Sequence, residues 1–380
     1  MAAREDQPPL DCRSGLSCFR MPNPSSNSAR LALAELRRIV YPNPSGQVAR
    51  IVPSGCSKEC VLSIRDRKLL DSAADIALGS TSENAVFMHT VLCQVGLPRR
   101  AVDGTSFERR SGGAALLIEA GKLWDGEKFV QQPVPYGAKP RLILAYLNTY
   151  AVRHRTREID VGKSASAFLK MLGVQANGGK RGSYTEFKKQ MTALAACKMT
   201  LGFNAGNTPT TRYAKPINEF QAWASNDGCQ NRLWPKKIIL SPEYFDALVT
   251  DQHAVPIDIR AFHALSGSAL AMDIYVMLAE RLHRISGSRP VRLNWANLRE
   301  QFGQEYATDT NGKKNFKTKF LKALVSVQAV YPKAKISQVR GGIQLFSSPP
   351  PIPKRMKIRP NAGSPALPQG CSTSWSGCSG

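Results

Sequence analysis

Acidic residues are scarce in this chain of 380 residues: 28 Asp and Glu stand against 52 Lys and Arg, for a formal net charge of +24 and a pI near 9.9. Long apolar runs are missing too. None approaches the roughly 20 residues that span a bilayer, and the basic residues are spread among core patterns instead of clustering beside an apolar segment. A membrane surface is therefore the weaker choice of acidic partner, and a nucleic acid the stronger. The N-terminus lacks the charged, apolar, then small-residue pattern of a secretory leader. The nine cysteines are odd in number and irregularly spaced, which speaks against a disulfide framework and for a reduced, cytoplasmic setting. Cys56 and Cys60 enclose three residues where zinc knuckles usually have two, and no matching pair follows, so no metal site is expected.

Catalytic signatures are equally sparse. The five histidines, His89, His154, His253, His263 and His283, never fall one residue apart, whereas a metal-dependent nicking enzyme needs two close histidines and a nucleophilic tyrosine. "GKS" at 162–164 lies between an expected strand and helix, the setting of a phosphate-binding loop. The glycine that such a loop needs five residues earlier is Arg157, so its backbone cannot wrap a phosphate. No tight acidic cluster suggests a two-metal site. The expectation is a non-enzymatic protein without a cofactor.

What the chain does have is a repeated arrangement between two tails. Residues 1–60 read as a largely disordered arm, rich in Pro and Ser at its start, with one short isolated helix over 27–40. Another such helix, with a mixed surface, is expected over 61–77. Residues 348–380, with "PPPIPKRMKIRP" and a Gly/Ser/Cys end, read as a disordered basic tail.

Between them, "KPRLILAYLNTYAVRHR" predicts a helix with Pro140 in its first turn and "REIDV" a short strand. "SASAFLKMLG" predicts a short helix stopped by Gly173. "SYTEFKKQMTAL" predicts a helix opened by a capping box of Ser183 and Glu186, with Tyr184, Phe187, Met191 and Leu194 on one face. "KMTLGFN" and "AGNTPTTRY" supply a strand, a turn and a second strand. The order then recurs: "GSALAMDIYVMLAERLHRI", the strand "RPVRLNW", and "NWANLREQFG" capped by Asn294 and stopped by Gly303. "NGKKNFKTKFLKALVSV" follows with Phe316, Phe320, Leu324 and Val327 inward, and last come two strands around Gly341 and Gly342, a dipeptide favoured in primed hairpin turns. The expected fold class is α+β, with two tandem winged-helix domains over 61–225 and 226–347 and disordered termini.

In a helix-turn-helix the second helix enters the major groove, while flanking cations and the hairpin grip phosphates. The first copy offers Lys180 and Arg181 ahead of that helix, Ser183, Thr185, Lys188 and Lys189 along it, and Arg212 in its wing. The second offers Lys313, Lys314, Asn315, Lys317, Thr318 and Lys322, with Arg340 at the hairpin tip. Residues 311–340 contain no acidic residue. The plainer alternative is a pair of amphipathic surface helices with solvated lysines. The aromatic residues Tyr184, Phe187, Phe316 and Phe320 could stack nucleobases, but their helical spacing assigns them to the core.

"VPYGAKPRLILAYLNTYAVRHRTREIDVGKSASAFLKMLGV" followed by "GGKRGSYTEFKKQM", with "FERRSGGAALLIEA" as a strand pair upstream, resembles the signature stretch of RepA-type plasmid replication initiator proteins. The resemblance covers 107–191. It implies a protein that binds repeated sequences (iterons) in double-stranded plasmid origin DNA, helps to open the adjacent duplex, and brings in host replication initiation and helicase-loading proteins in a bacterial cytoplasm. It also implies phosphate and base contacts at Lys180, Arg181, Lys188 and Lys189, and a homodimer in equilibrium with monomer. A sequence-specific transcriptional repressor is the alternative, and a nicking enzyme with an unrecognised site a third.

Overall fold

A computed structural model describes residues 63–79, 83–161, 168–169, 172, 182–205, 208–213, 215–222, 235–251 and 253–353. In the N-terminal half these form α1 (Ile64–Leu78), β1 (Ala85–His89), α2 (Thr90–Gln94), β2 (Ser106–Ser111), β3 (Ala114–Glu119), β4 (Lys122–Trp124) and β5 (Phe129–Gln131). There follow α3 (Ala138–His154), β6 (Glu158–Asp160), α4 (Ser183–Ala196), β7 (Lys198–Ala205), β8 (Thr208–Tyr213), β9 (Ile217–Ala222) and β10 (Pro235–Leu240). The C-terminal half has α5 (Pro242–Val249), β11 (Ala254–Asp258), α6 (Ile259–Ala264), α7 (Ala269–Arg281), β12 (Val291–Asn294), α8 (Trp295–Phe302), α9 (Thr310–Val330), β13 (Ile336–Val339) and β14 (Gly342–Leu345). The class is mixed α+β. The helix expected over 27–40, the Cys56/Cys60 pair, the 162–164 triplet and Gly173 lie outside the described residues.

In the C-terminal half, local signals and structure agree closely. Ser268, Asn294 and Asp309 cap α7, α8 and α9 by accepting from the amides of Ala271, Asn297 and Gly312. Helix α7 is buried from Leu270 to Glu280, as its nearly continuous apolar sequence requires. Helix α9 packs on it, with Phe316, Phe320, Leu324 and Val327 buried. Strands β12, β14 and β13 form an antiparallel sheet in that order, with Leu293 opposite Ile343 and Val339 opposite Gly342. That register makes Arg340 and Gly341 the two turn residues, instead of the expected Gly341 and Gly342. Of the two, only Gly341 is left-handed (φ 89°), the pattern of a type II turn and not of a primed one.

The N-terminal half departs further from its local pattern. β6 pairs with β10, and β10 with β9, so this sheet, and not the β7–β8 hairpin, has the strand order seen in β12–β14–β13. β7 and β8 join β2 and β3 in a separate four-stranded sheet. Residue 225 lies in the connection between the paired strands β9 and β10. Helix α4 begins at Ser183 with Gly182 as its cap residue, one position before the predicted cap. Helix α1, expected to stand alone, lies against α6 and α9 with Leu69 and Ala73 in the core, and β1 pairs with β11. The segment after the N-terminal arm is thus tied to the C-terminal half.

One buried polar hub joins the halves. The Arg141 guanidinium on α3 grips Asp273 on α7 with two bonds, Nε to Oδ1 at 2.6 Å and an Nη to Oδ2 at 2.7 Å, and also donates to the carbonyls of Leu97, Pro98 and Gly137. Both side chains of the pair are at most 5% exposed. Arg109, fully buried on β2, donates to the carbonyls of Gly96 and Leu97 and to Glu305. Glu305 also binds Arg99. Burial works to raise the Glu305 pKa, but Arg99 and Arg109 outweigh it and hold the carboxyl below its ordinary range. A β-carbon on Gly96 would come within 2.7 Å of the Asp273 carboxylate, so the close approach requires glycine.

Removing one partner of such a pair leaves an uncompensated buried charge, at a cost of about 3–5 kcal/mol. Asp273→Ala should lower unfolding stability in urea by about that much, and Arg141→Met should cost at least as much, because it also takes a donor from the carbonyls of Leu97, Pro98 and Gly137. A loss below about 1 kcal/mol for Asp273→Ala would mean that the hub is not what holds the halves together.

Candidate nucleic-acid interface

Helix α9 carries an exposed cationic face. Phe316 and Phe320 fix its phase by packing against one another at 5.7 Å and against Tyr306, Phe302 and Trp295. With these inward, Lys313, Lys314, Asn315, Lys317, Thr318, Lys319 and Lys322 are all exposed. The Thr318 hydroxyl donates back to the Lys314 carbonyl at 3.0 Å. Arg340, also exposed, sits in the β13–β14 turn. None of these cationic groups joins an ion pair among the described residues.

This arrangement costs the free protein stability. Lys313 and Lys317 are four apart on one helix, and Lys314–Lys317 and Lys319–Lys322 three apart. Like-charge pairs at these spacings destabilise a helix by about 0.2–0.5 kcal/mol each, and the acid-free stretch 311–340 offers no compensating carboxylate. A polyanion would relieve that repulsion. A helix under selection for stability alone would carry mixed signs.

The residues expected to act in the first copy are less unified. Thr185 and Lys189 are exposed on α4, Lys188 is half-buried, and burial lowers the Lys188 ammonium pKa. Lys189 Nζ lies 5.9 Å from the Tyr136 ring. Beyond these first turns α4 is enclosed, with Gln190 through Ala196 all buried. Arg212 is on β8, not in a wing beside β6, and pairs with Asp251 at 3.2 Å, both side chains exposed. Lys180 and Arg181 lie outside the described residues. Ser183 opens α4.

Three residues of the α9 region escaped the sequence reading. Lys319 was legible from its position between Phe316 and Phe320. Arg292 follows from strand alternation, since Leu293 is buried and Arg292 exposed, and its guanidinium donates to the Arg340 carbonyl. Trp295, whose ring lies 5.3 Å from Lys317 Nζ, had no sequence signal. Among the described residues no group of three or more His, Cys, Asp or Glu could hold a metal ion, and no helix is long and apolar enough to cross a membrane.

A mixed α+β frame carrying an exposed cationic helix and hairpin defines a class of candidate nucleic-acid binders. Residues 134–297, from just before α3 into α8, match the family described as plasmid encoded RepA protein. The match supports a role in plasmid replication. It stops short of α9. The crystal structure of domains 2 and 3 of RctB is similar over 68% of this chain and 98% of that one, at 11% identity and a TM-score of 0.44, too remote a likeness to carry an argument. No curated protein sequence matches.

Lys319→Glu replaces a repulsive contact with Lys322 by an attractive one in the favourable order. Its unfolding stability should therefore be unchanged or higher by a few tenths of a kcal/mol, while affinity for DNA falls by roughly tenfold or more and the salt dependence flattens. Stability and affinity falling together would indicate that Lys319 serves the fold.

Proposed function

We propose that this protein is a plasmid replication initiator that binds repeated sequences at its origin through two tandem winged-helix units, without enzymatic activity of its own. The observation that carries the reading is the exposed cationic face of α9, which joins no ion pair among the described residues, with Arg340 beside it, in a stretch free of acidic residues. In the second unit α7, β12, α8, α9 and the β13–β14 hairpin follow winged-helix order. Here α9 is the recognition helix, its N-terminal residues meeting base edges in the major groove and Arg340 reaching a flanking phosphate. In the first unit α3, β6, the helical residues 168–169, α4 and the β9–β10 pair fill the same roles, and the boundary between units falls after β10.

Lys188 and Lys189, with Lys180 and Arg181, contribute the first unit's contacts. Opening of the adjacent duplex, recruitment of host initiation and helicase-loading proteins, a homodimer in equilibrium with monomer, and action in the bacterial cytoplasm complete the proposal. The RepA family match over 134–297 supports the replication role.

Footprinting of the full chain on the DNA flanking its own gene, with affinity measured across a salt series, tests this reading. Regularly spaced protected repeats should appear, with log affinity falling steeply in log salt as condensed counterions are released. A single inverted site at a promoter, together with failure of the gene and its flanking DNA to maintain a plasmid, would make it a repressor. Conversion of supercoiled origin DNA to the relaxed form with a divalent metal would make it a nicking enzyme.

A further inference from the structure

Trp295 occupies the point where α8, the recognition-helix candidate α9 and the β13–β14 turn meet. Its backbone amide donates to the Gly341 carbonyl at 3.1 Å, one residue from Arg340. Its ring meets Phe320 edge-on, with centroids 5.9 Å apart, and Lys317 Nζ lies 5.3 Å from the ring centroid. Arg292, three residues earlier, donates to the Arg340 carbonyl, and a β-carbon on Gly341 would approach this guanidinium to 3.1 Å. The hairpin tip and the middle of the helix are therefore tied to one short segment, 292–295.

Lysine is a flexible point charge that loses rotamer freedom when it binds. A lysine held over an indole face has already lost part of that freedom. An unbraced two-residue hairpin tip would likewise be ordered only on binding. We infer that Trp295 is a positioning residue of the DNA-binding face, its ring presetting Lys317 and its amide presetting the Arg340 turn, so that the two cations meet the duplex at a fixed spacing. The inference rests on the assignment of α9 as a DNA-contacting helix. It adds that recognition by α9 depends on a residue that need not touch DNA. The Phe320 contact makes the ring part of the core, which accounts for its being half-buried and not displayed as a stacking platform.

A double-mutant cycle separates positioning from mere structural support. Trp295→Phe keeps an apolar ring on Phe320 while weakening the cation–π contact, and Lys317→Met removes the charge at nearly constant length. Each is measured in the full chain for affinity to footprinted origin DNA and for unfolding midpoint. Trp295→Phe should weaken binding about 2- to 5-fold, the equivalent of an exposed cation–π contact, and should have no effect once Lys317 is Met. An equal loss with and without Lys317, or no loss at all, overturns the inference while leaving the DNA-binding reading standing. If Lys317→Met itself changes neither affinity nor salt slope, α9 is not the contacting face and both readings fall. Trp295→Tyr serves as a second variant if Trp295→Phe lowers the unfolding midpoint.

Discussion

One ion pair buried between the halves, Arg141 with Asp273, and a second that runs from the buried Arg109 to the partly exposed Glu305 set the geometry on which everything else depends. Arg141 reaches across from α3 to Asp273 on α7 and fills its remaining donors with the carbonyls of Leu97, Pro98 and Gly137. Arg109 supports the same turn from β2 and extends to Glu305 in the α8–α9 connection. Buried ion pairs add little net stability, because desolvation offsets most of the attraction, but breaking one leaves a buried charge without a partner, and Arg141 meets Asp273 and three carbonyls at once. Here that arrangement fixes α7, and through α7 the helix α9 that packs on it. It also holds the α8–α9 connection, from which α9 starts.

The candidate interface follows from this frame by simple phase. Phe316 and Phe320 must face the core, so the lysines between and around them must face water. Their mutual repulsion is tolerated because the inward face of α9 is anchored on α7 and α1. The stability sacrificed on one face is small beside the apolar burial on the other, at about 1.5–3 kcal/mol for each large side chain.

How far the sequence was readable depended on how local each interaction was. The cap at Asn294, the Phe316/Phe320 stripe and the strand around Leu293 are all set within a few residues, and the C-terminal half was legible to that extent, while the equally local caps at Ser268 and Asp309 went unread. Strand partners in the N-terminal half were not. The pattern of β7 and β8 is that of any adjacent hairpin, and nothing within it says that β6 takes β10 as partner while β7 joins β3. The turn at Arg340 and Gly341 was misread by one residue because two successive glycines permit either register, and pairing with β12 decides it. Most of the cationic set on α9 was visible in the sequence, but Trp295 was not: its contact with Lys317 exists only once α8 is folded back across α9. Arg212 reads as a wing cation in sequence, yet β8 carries it into another sheet and to Asp251.

The most direct measurement is hydrogen–deuterium exchange of the full chain, free and bound to its origin DNA under conditions where binding is saturated. The account predicts new protection over the N-terminal turns of α9, residues 310–322, and at the Arg340–Gly341 turn, with weaker protection at the start of α4. Saturated binding that leaves 310–322 and the hairpin tip unchanged, with protection confined to other elements, would contradict it.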